Sequence, residues 1–144
     1  MWCGTIAHNG TCGVGCEEDW ASHFLEHEVS AIYNVTHGAG LSVIVPAWMT
    51  FMAGHNPKKI AQFANRVFGI PESEDLEEMA LAGVSRLKHF FRFIGLPVNF
   101  KELGIEEPDI DRLADSLHRN KGEFVGNYVK LTKQDSKEIY RLAL

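Results

Sequence analysis

Apolar residues recur along most of the chain at intervals of three and four, the spacing that places them on one face of an α-helix. One such stripe covers residues 60–68, between Pro57, which suits a first helical position, and Gly69, which suits the residue after a helix end. A longer stripe of the same period covers 76–94, in a helix that we expect to begin at Ser73. These segments predict two consecutive amphipathic helices.

Other segments extend the pattern. Asp109 precedes a shorter apolar stripe, and Thr132 with Asp135 three residues later resembles a capping box at the start of a last helix. The longest apolar run, 41–52, is shorter than the roughly 20 residues that cross a bilayer and predicts a buried helix. Residues 124–131 are the least helical and predict a loop. Because no segment alternates with a period of two, we expect an all-α domain, a multi-helix bundle of about six or seven helices.

The composition is that of an ordinary globular domain and excludes some partners. The 144 residues, 45% of them hydrophobic, suffice for one domain with a core. The net charge of −5 comes without a basic cluster, which argues against nucleic acid because phosphate binding needs concentrated Lys and Arg. No leader-like pattern follows Met1 and no apolar run could span a membrane, so we expect a cytoplasmic protein without a membrane partner.

The three cysteines, Cys3, Cys12 and Cys16, all lie near the N-terminus. Cys12 and Cys16 have no second pair downstream, whereas a zinc site needs three or four ligands. We therefore expect free thiols in a reducing compartment rather than a metal site built from cysteine.

Histidines concentrate in one part of the chain. Four of the seven lie within residues 8–37: His8, His23, His27 and His37. His23 and His27 are four residues apart, so on a helix both rings project from one face, and a tight turn could bring His37 back towards them. Gly38 and Gly40 would let the backbone approach a ligand closely. A single histidine is more often a surface or capping residue than a ligand, so the prediction of a metal site depends on the set.

The spacing alone leaves the metal and the reaction open. Imidazole binds Zn, Fe, Ni and Cu, so the histidines do not select an ion. A zinc protease is disfavoured, because its helix carries Glu directly after the first His, where this chain has Phe24 after His23.

The same residues resemble a known family. The stretch 19–33, D-W-A-S-H-F-L-E-H-E-V-S-A-I-Y, is followed by T-H-G-A-G-L at 36–41 and P-A-W-M at 46–49. This combination of an HxxxH pair, a ten-residue step to His-Gly and a later Pro is similar to the signature of iron-containing alcohol dehydrogenases, in the branch of butanol dehydrogenases and broad-substrate aldehyde reductases. The similarity continues through N-P-K-K-I-A at 56–61 to I-Y-R-L-A at 139–143 and covers nearly the whole chain.

The resemblance implies roles for three histidines. In that family an N-terminal α/β domain binds NAD(P), and a single divalent metal lies in the cleft beside a helical C-terminal domain. His23 and His37 match two metal ligands, and an upstream DxxxH segment supplies the other two. His27 matches a histidine near the nicotinamide and the substrate, a candidate for proton relay. Asp19 has no matching ligand and is interpreted as structural.

The resemblance also implies a fragment. Neither a glycine-rich nucleotide loop nor the DxxxH segment is found, so residues 1–144 are expected to be the helical metal-binding domain without the nucleotide-binding domain. We expect the C-terminal part of an NAD(P)-dependent enzyme that interconverts primary alcohols and aldehydes with Fe²⁺ or Zn²⁺, inactive alone and with no cofactor-binding residue of its own.

Two questions stay open at this level. The alternative function is a helical interaction module that pairs with a separate nucleotide-binding chain or with itself, since an uncovered apolar face drives association. Trp20 and Phe24 either shape an alcohol pocket or belong to the ordinary core.

Overall fold

The computed structural model describes residues 1–144 as seven α-helices with no β-strand. The helices are α1 (Trp2–His8), α2 (Ala21–Tyr33), α3 (His37–His55), α4 (Lys58–Phe68), α5 (Leu76–Phe93), α6 (Ile110–Lys121) and α7 (Lys133–Arg141), and a 3-10 turn at Thr11–Gly13 follows α1. The only strand-like pairing is an isolated antiparallel bridge between Val125 and Leu131, within the predicted loop. The expected all-α multi-helix bundle is confirmed.

Capping side chains mark the starts of α5, α6 and α7. At α7 the predicted capping box is confirmed, because the backbone N–H of Asp135 donates to the Thr132 hydroxyl and the backbone N–H of Thr132 donates to the Asp135 carboxylate. The predicted start of α5 at Ser73 is wrong. The Asp75 carboxylate accepts the Glu78 N–H at 2.9 Å and so caps a helix that begins at Leu76.

Helix α3 is the centre of the fold and packs against α2, α4, α5 and α7. Ten of its 19 residues are buried, among them Val43, Ile44 and Met52. Val43, Ile44 and Met52 belong to one continuous apolar core, and burial of that core is the main force that holds the bundle together. Pro46 lies inside α3, and its carbonyl accepts the Thr50 hydroxyl at 2.8 Å.

Helices α4 and α5 pack closely together where Gly83 meets Ala64. A Cβ placed on Gly83 of α5 would lie 2.9 Å from the Cα of Ala64 on α4, so any side chain there would collide with backbone. The two helices therefore meet through small residues.

The N-terminal segment is the least buried part of the chain. Helix α1 contributes no buried residue, and Trp2 is 75% exposed. Cys3, Cys12 and Cys16 are exposed and free. No helix combines the length and the apolar composition that are needed to cross a membrane.

Candidate metal centre

The three histidines singled out from the sequence lie on α2 and at the start of α3. His23 and His27 are one turn apart on α2, with ring centroids separated by 6.5 Å. Asn34 ends α2 in the left-handed conformation, with φ of 53°, and its N–H donates to the Ser30 carbonyl. Residues 35 and 36 then complete the reversal of the chain, and His37 is the first residue of α3.

This reversal brings the three rings together. The His37 ring centroid lies 5.7 Å from that of His23 and 5.3 Å from that of His27. A fourth ring, that of His8 on α1, lies 6.4 Å from His23. The His23–His37 separation is compatible with one shared ion, because ligand nitrogens lie about 2 Å from a bound metal.

The surroundings of His23 favour its neutral form. Burial lowers the pKa of its imidazole below 6.5, and the nearby rings of His37, His27 and His8 lower it further, against a smaller opposing effect of Glu26. A neutral imidazole has a free lone pair, which ligation requires. The position of His23 within the cluster therefore favours the form that can bind a metal.

A buried carboxylate lies beneath the cluster. Glu26 on α2 has no exposed surface, and its Oε2 is in hydrogen-bond contact with Nδ1 of His37. The Ser30 hydroxyl, one turn later on α2, donates to its Oε1. Glu26 was not predicted as a site residue, because a lone acid on a helix is usually solvated. The only sequence signal for it is its spacing of four residues from Ser30.

A glycine makes room for this carboxylate. A Cβ on Gly40 would lie 2.8 Å from the Cδ of Glu26, closer than carbon atoms can pack. A Cβ on Gly38 would meet no atom within 4 Å. The close approach anticipated at the glycines therefore occurs at Gly40, and the group that comes close to it is a side chain of α2.

One group of donor atoms is spaced closely enough to hold an ion. It comprises one atom each of Glu26, His27 and His37, all within 4.8 Å of one another. His23 lies outside this group. Its ring centroid is nevertheless about as far from that of His37 as the His27 centroid is, at 5.7 Å and 5.3 Å. Imidazole and carboxylate together suit Fe²⁺ and Zn²⁺, so the donor set fits a divalent metal.

Asp19 and the two aromatic residues beside the cluster have mainly structural contacts. Asp19 accepts the backbone N–H of Ala21 at 2.7 Å and that of Tyr128 at 2.6 Å, which ties the start of α2 to the 124–131 loop. Trp20 is half-buried with its ring 5.0 Å from that of His23, and Phe24 is half-buried against the core.

The chain is similar to known proteins over its full length. A family model described as Fe-containing alcohol dehydrogenase family, C-terminal, matches residues 1–144. The chain is 37% identical to a probable NADH-dependent butanol dehydrogenase 1 of Bacillus subtilis, with 100% of the chain and 37% of the relative covered. It is 31% identical to the NADPH-dependent aldehyde reductase YqhD of Escherichia coli, with 99% of the chain and 37% of the relative covered.

Solved structures agree with these relatives. The crystal structure of an NADH-dependent butanol dehydrogenase A from Thermotoga maritima superposes with a TM-score of 0.88 at 38% identity, over 99% of this chain and 37% of that one. The structure of Escherichia coli YqhD gives a TM-score of 0.91 at 30% identity, over 100% of this chain and 37% of that one. The chain therefore spans about 37% of the length of the relatives it matches.

Proposed function

Since the chain belongs to the iron-containing alcohol dehydrogenase family, as its C-terminal domain, we propose that it forms the metal-binding part of an enzyme that interconverts primary alcohols and aldehydes. The observation that carries this proposal is the convergence of His23, His27 and His37 above the buried Glu26. The relatives support the reaction class, because their names specify a butanol dehydrogenase and an aldehyde reductase.

His23 and His37 are the proposed metal ligands, and Fe²⁺ or Zn²⁺ is the proposed ion. Their ring separation of 5.7 Å and the lowered pKa of His23 support the assignment. Two imidazoles fill only part of a coordination shell, which for zinc normally includes at least three protein ligands. We propose that the remaining ligands come from another part of the whole protein.

His27 is proposed to relay a proton. When bound, the metal would supply Lewis-acid polarisation of the substrate oxygen, and a nicotinamide would exchange the hydride. The His27 side chain is exposed, which allows its imidazole to pass a proton between an alcohol and water. Its place one turn from His23 and beside His37 supports this role.

The nicotinamide cofactor belongs to this proposal only at the level of the whole protein. NADH and NADPH appear in the names of the relatives, and none of the residues described here is assigned to bind either one. We propose that residues 1–144 act as one helical metal-binding domain, that a nucleotide-binding domain works beside it in the cytoplasm, and that the chain has no alcohol dehydrogenase activity alone.

A metal titration tests the ligand assignment. Calorimetry with Fe²⁺ under anaerobic conditions would use a background in which the three exposed cysteines are replaced by serine, so that thiols do not compete. We expect weak binding that falls at least tenfold, or about 1.4 kcal/mol, in the His23→Ala, His37→Ala double variant. The matched control is His27→Ala, which should change affinity less than about threefold, since a residue that is not a ligand contributes little to it.

Other outcomes would contradict specific roles. Unchanged affinity in the double variant would reject both ligands. A larger loss in His27→Ala than in His23→Ala would exchange the roles of these two residues, as the tighter grouping of His27 with Glu26 and His37 allows.

The second candidate function, an interaction module, is favoured by the exposed N-terminal segment. Helix α1 buries none of its residues, and both Trp2 and Val14 are exposed. Such apolar surface favours pairing with a nucleotide-binding chain or with a second copy. Sedimentation of the purified chain tests self-association: a monomer at all concentrations would leave only pairing with another chain.

A further inference from the structure

The buried carboxylate of Glu26 lies between the two helices that carry the histidine cluster. It is fully buried on α2 and contacts the Nδ1 of His37, the first residue of α3. His37 itself is 47% exposed, so one nitrogen of its ring faces the carboxylate while much of the side chain remains accessible. A buried carboxylate is stable only where hydrogen bonds compensate its charge, and His37 is one of the two partners of Glu26.

We propose that Glu26 is a positioning residue that keeps the proton of His37 on Nδ1 and leaves Nε2 free for the metal. The inference rests on the proposed function, in which His37 is a ligand. An ionised carboxylate can only accept hydrogen bonds, so the facing Nδ1 must donate. In a neutral imidazole the lone pair then lies on Nε2, and a carboxylate behind a ligating histidine fixes both the tautomer and the ring orientation.

The geometry distinguishes this role from direct ligation. Although donor atoms of Glu26, His27 and His37 lie within 4.8 Å of one another, both carboxylate oxygens of Glu26 already have partners. One oxygen contacts Nδ1 of His37, and the other accepts the hydrogen bond of the Ser30 hydroxyl. The two ring nitrogens point away from the imidazole in different directions, so a metal bound at Nε2 lies on the side of the ring remote from this carboxylate.

The start of α3 gives an independent reason for an acid at this place. Thr36, the N-cap of α3, makes no side-chain capping bond, and the first turn contains no acidic residue. A helix N-terminus favours a nearby negative charge, which Glu26 provides from α2. Gly40 in the first turns of α3 lets the carboxylate approach, because a Cβ there would overlap it.

The tautomer of His37 can be measured in the metal-free 144-residue chain. In ¹⁵N-labelled protein, the chemical shifts of the two ring nitrogens report which one carries the proton. We expect Nδ1–H in the wild type and a loss of that preference in Glu26→Gln and Glu26→Ala. The Gln amide can also donate to Nδ1, and Ala removes the acceptor. Finding His37 with its proton on Nε2 in the wild type would overturn the inference, and this result needs no variant to fold.

A titration with Fe²⁺ gives the second readout, on variants whose folding is checked by circular dichroism. We expect the affinity to fall about tenfold to 100-fold in Glu26→Gln. The matched control is Glu28→Gln: Glu28 is also buried on α2, but it accepts from Asn120 at 2.9 Å and contacts no histidine. It should leave both the tautomer and the affinity unchanged.

The two readouts separate this inference from the proposed function. If the wild type binds the ion and Glu26→Gln alters neither tautomer nor affinity, the positioning role is rejected and the metal site stands. A second outcome is that the wild type binds no ion while Glu26→Gln still abolishes the preference of the His37 proton for Nδ1. In that case the metal site is rejected, and the control of the His37 ring by Glu26 is supported. Equal losses in Glu26→Gln and Glu28→Gln would also overturn the inference, since they indicate a general effect of buried charge.

Discussion

Two pairs of helices in this bundle meet at a glycine, and they do so for different reasons. Where α4 meets α5, Gly83 lies against Ala64, and the contact is between apolar groups. Where α2 meets α3, Gly40 lies against the carboxylate of Glu26, which in turn holds His37. The first contact excludes a side chain because backbone lies opposite, and the second because a buried acid fills the space.

We propose that the two contacts divide stability and function between them. The α4–α5 contact lies in the apolar core, whose burial stabilises the fold. The α2–α3 contact places a charged group out of water, which weakens the fold unless the charge is fully paired. We propose that the buried carboxylate of Glu26 is kept because it orients the ring of His37. We therefore expect substitutions at Gly83 to affect stability and substitutions at Gly40 to affect metal binding.

The largest expected effect is on stability at Gly83. Gly83→Leu should lower the free energy of unfolding by about 2 kcal/mol, since overpacking costs about 3 kcal/mol and the better helix propensity of Leu offsets about 1 kcal/mol of it. Chemical denaturation followed by circular dichroism measures this change. The metal affinity of the folded protein should stay within about twofold, because His23, His27 and His37 lie on α2 and α3.

Gly54 provides the control for Gly83. It lies in α3, and a Cβ there would meet only the Oε1 of Glu77, at 3.9 Å. Gly54→Ala should therefore stabilise the chain by about 0.5–1 kcal/mol through helix propensity alone. A destabilisation of equal size at both glycines would show that the contact with Ala64 is not the cause.

The α4–α5 contact could be predicted from the sequence more readily than the α2–α3 contact. The apolar stripes predicted α4 and α5 because a helix that packs on a core repeats its apolar residues every three or four positions. The start of α5 was misplaced at Ser73, since both Ser73 and Asp75 are good caps and only the tertiary structure selects Asp75.

The histidine cluster was predicted only in part. The spacing of His23, His27 and His37, together with the family resemblance, predicted that these three rings come together, as the structure has them. Glu26 was not predicted, because its role depends on the turn at Asn34, which brings α3 back against α2. Periodicity places a residue on a face of its own helix, but the partner across a turn is determined by the backbone geometry of that turn.

The next expected effect is on metal binding at Gly40. Gly40→Ala should displace the Glu26 carboxylate from His37 and lower the Fe²⁺ affinity about tenfold, as loss of a group behind a ligand does. The stability change should stay within about 1 kcal/mol, because a flexible carboxylate can move where the backbone opposite Gly83 cannot. Gly38→Ala, in the same first turn of α3 and with open space around it, is the matched control and should keep full affinity. Equal affinity in both variants would show that Gly40 has no special role in the site.

The smallest expected effect is the titration of His23, which tests the histidine cluster without any metal. In the metal-free chain, ¹H–¹⁵N NMR should give His23 a pKa below 6.5, because burial disfavours its charged form and the neighbouring histidines add repulsion. The unfolded chain then takes up this proton first as the pH falls below 6.5. His23 therefore weakens the fold progressively between 6.5 and its own lower pKa, and has no such effect at higher pH.

The variant His37→Ala separates the two causes of that shift. Since burial is the larger cause and His37 the next, removal of the His37 ring should raise the pKa of His23 only part of the way towards 6.5. A full return to 6.5 would mean that charge repulsion, and not burial, keeps His23 neutral. A wild-type pKa at or above 6.5 would instead mean that His23 is solvated and that the cluster lacks the neutral ligand we propose. The first result would place the contrast with the apolar α4–α5 contact in charge repulsion alone, and the second would remove that contrast at His23.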